Sequence, residues 1–268
     1  MNKYEKFVET VQGHYAENGR HDLAWRKRPT AYKVLVSEIM LQQTQVVRVE
    51  EYFDSWMKSF PSLNELANAT QKDVLQAWQG LGYNRRGLFL HRAAQVISKE
   101  YRGRVPQNYR ELLNLPGVGE YTANAILAFA YNKEAVLIET NTRTAVIYHF
   151  FRDQNQVKDS QIRAILEKCN QYIDDYRIWN WALMDYGSYL KQTVGNLNKK
   201  SKTYAKQSTF KGSRREVRAK IVKALLVKSL NKNQVKKLLG ETEHDVDAVL
   251  ADLVKEKTIT KEKQKYKI

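Results

Sequence analysis

The stretch LLNLPGVGEYTANAILAFA, residues 112–130, carries the strongest indication of the fold in this chain. Two apolar runs flank the sequence LPGVG at 115–119, which is too short for a strand and too rich in glycine to continue a helix. The pattern therefore predicts a tight turn between two helices. Gly117 and Gly119 permit positive φ angles, and the N–H groups that open the second helix suit a phosphate oxygen. An ordinary helix–helix connection is the alternative.

The whole chain has the composition of a soluble globular protein. It has 268 residues, of which 43% are hydrophobic, enough to bury a core. Helical spacing of apolar residues over most of the chain predicts an all-α fold. No stretch has the length and apolarity of a membrane span, and the start, MNKYEKFVET, does not resemble a signal peptide. These features predict a cytoplasmic protein, associated with the nucleoid if the source is bacterial.

The charge of the chain is uneven. The net charge is +16, and residues 191–268 carry 21 basic and 8 acidic side chains, which accounts for +13 of it. A polyanion such as nucleic acid is the partner that this balance favours. A solvated lysine-rich surface without a partner is the alternative.

The chain divides by pattern into three parts, with boundaries at residues 190 and 209. Residues 1–190 form the main helical domain, 191–209 a polar basic linker, and 210–268 a small basic unit. In that unit, helical spacing over 216–228, 233–239 and 243–255 gives way to period-two alternation near the C-terminus. Three helices with a terminal hairpin predict a winged-helix-like unit. A basic helical appendage with a stray hairpin is the alternative.

Two carboxylates have surroundings that should move their pKa values apart. Glu38 lies in a strongly apolar helix, which raises the pKa and favours a proton donor near neutral pH. Glu139 precedes a helix N-terminus, which favours its ionised form. One acid and one fixed anion are what cleavage of a glycosidic bond requires. The alternatives are a hydrogen-bonded core acid and a helix-capping carboxylate.

Four stretches together resemble one protein family. They are LAWRKRPTAYKVLVSEIMLQQTQV at 23–46, FPSLNELANA at 60–69, VLQAWQGLGYNRR at 74–86 and LPGVGEYTANAI at 115–126. Over about residues 23–190 the chain closely resembles the helix-hairpin-helix base-excision DNA glycosylases, specifically the A/G-mismatch adenine glycosylases (MutY-like). The resemblance implies two α-helical lobes, an active site in the cleft between them and a target nucleotide flipped out of the duplex.

The resemblance also implies roles for the catalytic candidates. Glu38 matches the glutamate that protonates the departing base, and Glu139 stands at the position of the catalytic aspartate, one methylene longer. Asn141 matches an asparagine two residues further on. Tyr121 stands where the bifunctional relatives place a Schiff-base lysine, so the resemblance implies hydrolysis without β-elimination.

The matching motifs supply the candidates for binding double-stranded DNA with a mismatched or damaged base. Gln43 matches the glutamine that fills the gap left by the flipped base, and Tyr83 lies in a loop that wedges into the minor groove. The full set is Arg26, Gln43, Thr44, Gln45, Leu81, Gly82, Tyr83, Asn84, Arg85, Gly117, Val118, Gly119 and Thr122. We expect a monomer that does not bind membranes.

The chain also departs from the family pattern. Residues 191–207 contain no cysteine where most relatives bind a [4Fe–4S] cluster, so we predict that the chain has no iron–sulfur cluster, metal or other cofactor. The family's Nudix-like domain is replaced by the small basic unit, to which we assign sequence-independent affinity for DNA. Asn84 stands where many relatives have a second tyrosine. We predict a monofunctional adenine glycosylase; the alternatives are a thymine or uracil mismatch glycosylase and a catalytically impaired damage-binding protein.

Overall fold

The computed structural model describes residues 1–206 and 209–268, in which helices make up most of the regular secondary structure. The all-α fold is therefore confirmed. The helices are α1 (Lys3–Asn18), α2 (Ala31–Leu41), α3 (Val46–Ser59), α4 (Leu63–Asn68), α5 (Gln71–Ala77), α6 (Arg85–Glu100), α7 (Tyr109–Leu113), α8 (Glu120–Tyr131), α9 (Thr140–Phe150), α10 (Asp159–Cys169), α11 (Tyr176–Thr193), α12 (Arg214–Val227), α13 (Lys232–Leu239) and α14 (Val246–Lys255), and the strands are β1 (Leu230–Asn231), β2 (Thr260–Glu262) and β3 (Lys265–Lys267). No helix in these residues is long and apolar enough to cross a membrane.

The chain forms two compact units, each made of separate segments. The first unit contains residues 1–38, 106–114 and 118–206, and the second contains 39–105, 115–117 and the C-terminal residues from 209. The C-terminal residues thus pack with the middle of the chain. The three-domain division at residues 190 and 209 stays a prediction.

Helices α1, α9 and α11 form the centre of the first unit. Phe7 of α1 is almost fully buried and meets the ring of Trp179 of α11 edge-on, at 5.8 Å between ring centroids. Asn2 caps α1 in a reciprocal capping box with Glu5, which fixes where the helix begins. Burial of the Phe7 side chain contributes about 1.5–3 kcal/mol to the stability of this unit.

The helical hairpin predicted at 112–130 is present as α7, a turn and α8. Gly117 has φ +78°, and a Cβ there would lie 2.6 Å from Cβ of Phe89, so both conformation and space demand glycine. Gly119, the N-cap of α8, has φ −97°, so only Gly117 uses the positive φ that both glycines permit. Its exposed backbone still leaves the first N–H groups of α8 open to a ligand.

The segment that follows α11 folds back onto the first unit. After α11 ends at Thr193, a short 3₁₀ turn covers Leu197–Lys200. The N–H of Val157 donates to the oxygen of Lys200, and the N–H of Lys202 donates to the oxygen of Val157, each at 2.9 Å. Backbone hydrogen bonds therefore fix the part of the predicted linker that lies in the described residues up to 206.

The C-terminal part of the second unit contains α12, β1, α13, α14 and the β2–β3 hairpin. Its three strands pair antiparallel in the order β1-β3-β2, with Leu230 opposite Tyr266. Leu75 of α5 and Leu88 of α6 belong to the same buried cluster as α12 and α14. The predicted helices and hairpin are present. Strand β1 was not predicted, because two residues are too few to show period-two alternation.

Candidate active site and DNA-facing loops

Glu38 lies within α2 and is 5% exposed. Burial raises the pKa of its carboxyl to about 7, and the negative charge of Glu139 adds to this rise. The hydroxyl of Tyr121 donates a hydrogen bond to Glu38, and this bond and the charge of Arg26 lower the pKa in part. A carboxyl with a pKa near 7 is partly protonated at neutral pH and can donate a proton.

Tyr121, in the first turn of α8, is the hydrogen-bond partner of Glu38. Burial, followed by the negative charges of Glu38 and Glu139, raises the pKa of its phenol well above the ordinary value of 10.0. The phenol therefore keeps its proton at neutral pH and acts as a donor. It holds the Glu38 carboxyl in place and offers no amine.

Glu139 is the N-cap residue of α9. Its Oε1 accepts the backbone N–H groups of Asn141 and Thr142, each at 2.8 Å, and the hydroxyl of Thr142 at 3.5 Å. Burial raises the pKa of Glu139, while these N–H bonds and the charge of Arg143 lower it, and the net direction is upward. The expected helix-terminus effect is present, but the prediction that it would dominate the pKa is wrong because burial outweighs it.

All three of these hydrogen bonds to Glu139 end on one oxygen. Oε1 caps the helix, and among the described residues Oε2 is left for another partner. Capping and an electrostatic role towards a positively charged reacting group are therefore compatible for this carboxylate.

Gly187 of α11 positions the start of α9 by close backbone contact. A Cβ at residue 187 would lie 2.0 Å from the carbonyl oxygen of Asn141 and 2.4 Å from its carbonyl carbon. Asn141 also donates its N–H to Glu139. The absence of a side chain at Gly187 thus lets α11 approach the backbone that fixes Glu139, a contact that local sequence pattern does not predict.

Replacing Gly187 by alanine should destabilise the protein by about 1–3 kcal/mol, because the new methyl forces the two backbones apart. Thermal unfolding measures the change. The matched control is Gly13→Ala in α1, where a Cβ meets nothing within 4 Å. That substitution should be neutral or stabilise by up to about 1 kcal/mol. Equal unfolding temperatures for Gly187→Ala and wild type would show that the backbones separate freely.

Arg26 does not lie where a DNA-contacting side chain is expected. Its side chain is 5% exposed, and its guanidinium donates to both oxygens of Asp185, at 2.7 and 3.0 Å. Arg20 also binds Asp185 through its backbone N–H at 2.7 Å and Nε at 2.8 Å. Although burial alone would raise the pKa of Asp185, these two arginines hold it below the ordinary value. Arg26 is therefore an internal cation that also acts on Glu38, and its placement among the DNA contacts is corrected.

Arg86 ties two loops of the second unit together, and sequence reasoning missed it. Its guanidinium donates hydrogen bonds of 2.5–3.3 Å to the backbone oxygens of Ile39, Met40, Gln42, Leu81 and Gly82 and to the hydroxyl of Thr44. Burial lowers the pKa of Arg86 to about 10, which leaves it charged at neutral pH. Its position two residues after GLGYN was the only signal available, and periodicity does not report such contacts.

The two tied loops present Gln43 and Tyr83. Both residues have left-handed backbones, with φ +56° and +47°, which costs non-glycine residues free energy. Of the DNA-binding candidates, Gln43, Gln45, Arg85, Gly117 and Gly119 are exposed, Thr44, Gly82, Tyr83 and Asn84 are partly exposed, and Leu81, Val118 and Thr122 are buried. The three buried side chains can therefore serve DNA only through their backbones.

The donor set of this chain does not fit an iron–sulfur cluster. Such a cluster takes four thiolates, and the chain has one cysteine, Cys169. Cys169 is buried, and burial raises the pKa of its thiol to about 12. Within the described residues, no group of three or more His, Cys, Asp or Glu side chains is placed to hold a metal ion.

The helical hairpin and the all-α architecture define a protein of the helix-hairpin-helix glycosylase fold. The sequence profile described as "HhH-GPD superfamily base excision DNA repair protein" matches residues 36–171. The chain belongs to this superfamily.

Curated relatives are adenine DNA glycosylases. The protein from Buchnera aphidicola subsp. Baizongia pistaciae is 31% identical over 185 residues, which cover 69% of this chain and 52% of that protein. The protein from Mycolicibacterium smegmatis is 46% identical over 132 residues, 48% of this chain and 45% of that protein. The chain thus spans about half the length of the curated relatives it matches.

Solved structures share the fold. A thermostable thymine-DNA glycosylase is similar with a TM-score of 0.60 and 26% identity, over 69% of this chain and 86% of that one. An endonuclease III–DNA complex has a TM-score of 0.54 and 16% identity, over 71% of this chain and 86% of that one. The second similarity concerns the fold alone.

Proposed function

We propose that this chain is a monofunctional DNA glycosylase that hydrolyses the N-glycosidic bond of a flipped-out, mispaired base. Adenine opposite guanine or 8-oxoguanine is the preferred substrate. The observation that carries the proposal is the buried Glu38, held by Tyr121 and close enough to Glu139 for the two charges to interact. The names of the curated relatives support adenine as the base.

In the proposed reaction the bond between C1′ of the sugar and the base nitrogen breaks. Glu38 gives its proton to the departing base, which leaves with the bonding electron pair. The ionised carboxylate of Glu139 stabilises the positive charge that develops on the sugar. Water adds to C1′ and its proton returns to Glu38. Tyr121 supplies no amine for a Schiff base, so the strand is left uncut at an abasic site.

Double-stranded DNA with a mismatched or damaged base is the proposed partner, bound by a monomer in the cytoplasm. Gln43 and Tyr83 are the proposed probes of the base stack, and the N-terminus of α8 binds a phosphate. The uneven charge, with most of +16 in residues 191–268, supports attraction to the DNA backbone.

A thymine or uracil mismatch glycosylase is the second candidate. The similarity to the thermostable thymine-DNA glycosylase favours it, because one scaffold serves either base by variation of the pocket. A damage-binding protein without turnover is the remaining alternative, because Glu139 is longer than the aspartate implied by the resemblance.

A panel of mismatched duplexes separates these candidates. The purified protein is incubated with A·G, A·8-oxoguanine, T·G and U·G duplexes, and alkali with heat then reveals abasic sites. Cleavage of the adenine strand supports the preferred substrate, and cleavage of the thymine or uracil strand supports the second candidate. Tight binding without cleavage in any duplex supports the binding protein.

The proposed acid predicts the pH dependence of base release. Glu38 must be protonated, so kcat/KM should fall about tenfold for each pH unit above its pKa of about 7. Glu139 must be ionised, so kcat/KM should also fall on the acid side, from a pKa above the ordinary carboxyl value. Rates measured from about pH 5 to about pH 9 test both limbs. A profile that stays flat through the alkaline range contradicts Glu38 as the acid.

A further inference from the structure

A pocket of about 540 Å³ lies in the second unit, between the Gln43 and Tyr83 loops and the C-terminal residues. Its wall includes Gln43, Tyr83, Asn84, Phe210, Arg215 and Lys223. Phe210 is 52% exposed, so its ring is accessible to a bound molecule. The volume is in the range of pockets that hold small organic ligands.

The chemistry of this wall suits a nucleobase. The exposed ring of Phe210 offers a surface on which a base can stack, and the ring of Tyr83 lies in the same wall. The amides of Gln43 and Asn84 can donate and accept hydrogen bonds at a base edge. Lys223 supplies a positive charge for the adjoining phosphate.

Two arginines hold the ring of Tyr83 at this pocket. The guanidinium of Arg215, from α12, lies 5.1 Å from the ring centroid, and its Nη1 donates to the Tyr83 hydroxyl. The guanidinium of Arg86 lies 5.4 Å from the same ring. Arg215 also donates to the backbone oxygen of Thr209 at 3.2 Å, so the C-terminal segment itself is tied to this position.

The backbone under Tyr83 is fixed independently of Arg215. The oxygen of Gly82 accepts hydrogen bonds from Nε1 of Trp78 at 3.0 Å and from Arg86 at 3.3 Å. The N–H of Arg86 donates to the oxygen of Tyr83 at 2.8 Å. These contacts set the loop, while Arg215 sets where the hydroxyl end of the ring points.

We propose that Arg215, through its contacts with Tyr83, sets the base preference at this pocket, where the proposed probes Gln43 and Tyr83 meet the base left unpaired in the bound DNA. The inference rests on the proposed function, because it needs a duplex with a disrupted base pair. It gives the C-terminal unit a part in base discrimination, beyond the sequence-independent affinity expected from its charge. Arg215 acts through Tyr83 and is a positioning residue.

The test compares Arg215→Ala with Arg214→Ala. Arg214 is the neighbouring residue in the first turn of α12, is 43% exposed and pairs with Asp252 away from the pocket wall. Both variants remove one positive charge from the same helix, so any effect through phosphate attraction should be equal. Thermal unfolding of both variants checks the fold.

The readout is the dissociation constant for a matched duplex divided by the dissociation constant for an A·G or a T·G duplex. This measurement of binding does not require base release. We expect Arg214→Ala to keep the wild-type ratio and Arg215→Ala to lower it about tenfold, because a misplaced contact loses most of its discrimination. Arg215→Lys should not restore the ratio, since an ammonium lacks the planar fork and stacks poorly.

A double-mutant cycle separates positioning from a general structural effect. Tyr83→Phe removes the hydroxyl that Arg215 holds, so the double variant Tyr83→Phe, Arg215→Ala should lose little more than either single variant. Additive losses overturn the proposal, as does an Arg215→Ala ratio equal to that of Arg214→Ala. A wild-type protein that binds all duplexes alike overturns this inference, whereas the proposed function fails only if no duplex of the mismatch panel releases a base, so the two failures are distinguishable.

Discussion

Glu38→Gln should abolish base release, with a single-turnover rate at least about 100-fold below wild type, because the amide keeps the shape of the side chain but has no proton of suitable acidity to give. The substitution removes a carboxyl that is 5% exposed and whose pKa is raised to about 7. A neutral amide in that position needs no desolvation of charge, so the fold should be at least as stable as wild type.

The control for Glu38→Gln is DNA binding. Affinity for a duplex containing an abasic-site analogue should stay close to the wild-type value, since the Gln43 and Tyr83 loops and the helical hairpin are unchanged. A rate within about threefold of wild type contradicts the assignment, because the loss of a general acid costs far more. In that case Glu38 is a hydrogen-bonded core acid and Tyr121 is its structural partner.

Glu139→Gln should also lower the rate of base release by about 100-fold or more, for a different reason. The amide oxygen of glutamine can still accept the N–H groups of Asn141 and Thr142, so the start of α9 is kept. What is lost is the negative charge opposite the developing positive sugar, the largest electrostatic contribution in the proposed mechanism.

Glu139→Asp is the matched variant, because it keeps the charge and shortens the side chain by one methylene. Aspartate is a favoured N-cap residue, so helix α9 should again begin at Thr140. We expect Glu139→Asp to retain activity or raise it, because it restores the carboxylate that the family resemblance implies.

The rates of the two variants decide the role of Glu139. If the pocket is shaped around the longer side chain, Glu139→Asp should lose about 100-fold, because a shift near 1 Å is enough to misplace the charge. Wild-type rates for both variants would show that Glu139 is only a capping residue. The two-carboxylate mechanism would then be wrong, and the binding-protein alternative would be favoured.

Local pattern was sufficient for the elements and for the two carboxylates. The apolar spacing around Glu38 predicted a buried acid on α2, and the LPGVG turn predicted the hairpin. Each of these signals is contained within a few consecutive residues. The winged-helix-like helices were found within two or three residues of their observed ends. The strand β1 was missed because it is two residues long.

Contacts between distant residues were beyond the reach of local pattern. The partnership of Arg26 with Asp185 joins positions 159 residues apart, and the approach of Gly187 to Asn141 depends on how α11 packs on α9. The pKa of Glu139 shows the same limit, because the capping geometry was predictable and the depth of burial was not. Arg86 and Arg215 likewise acquire their importance only when the loops and the C-terminal unit are placed together.

The Arg86 side chain couples the Gln43 loop to the Tyr83 loop. One guanidinium is bonded to carbonyl oxygens on both sides, so neither loop can shift by more than a fraction of a hydrogen-bond length without breaking contacts on the other. A bound duplex that displaces one loop should therefore also displace the other. If Gln43 and Tyr83 are the proposed probes of the base stack, they should enter it in one concerted step.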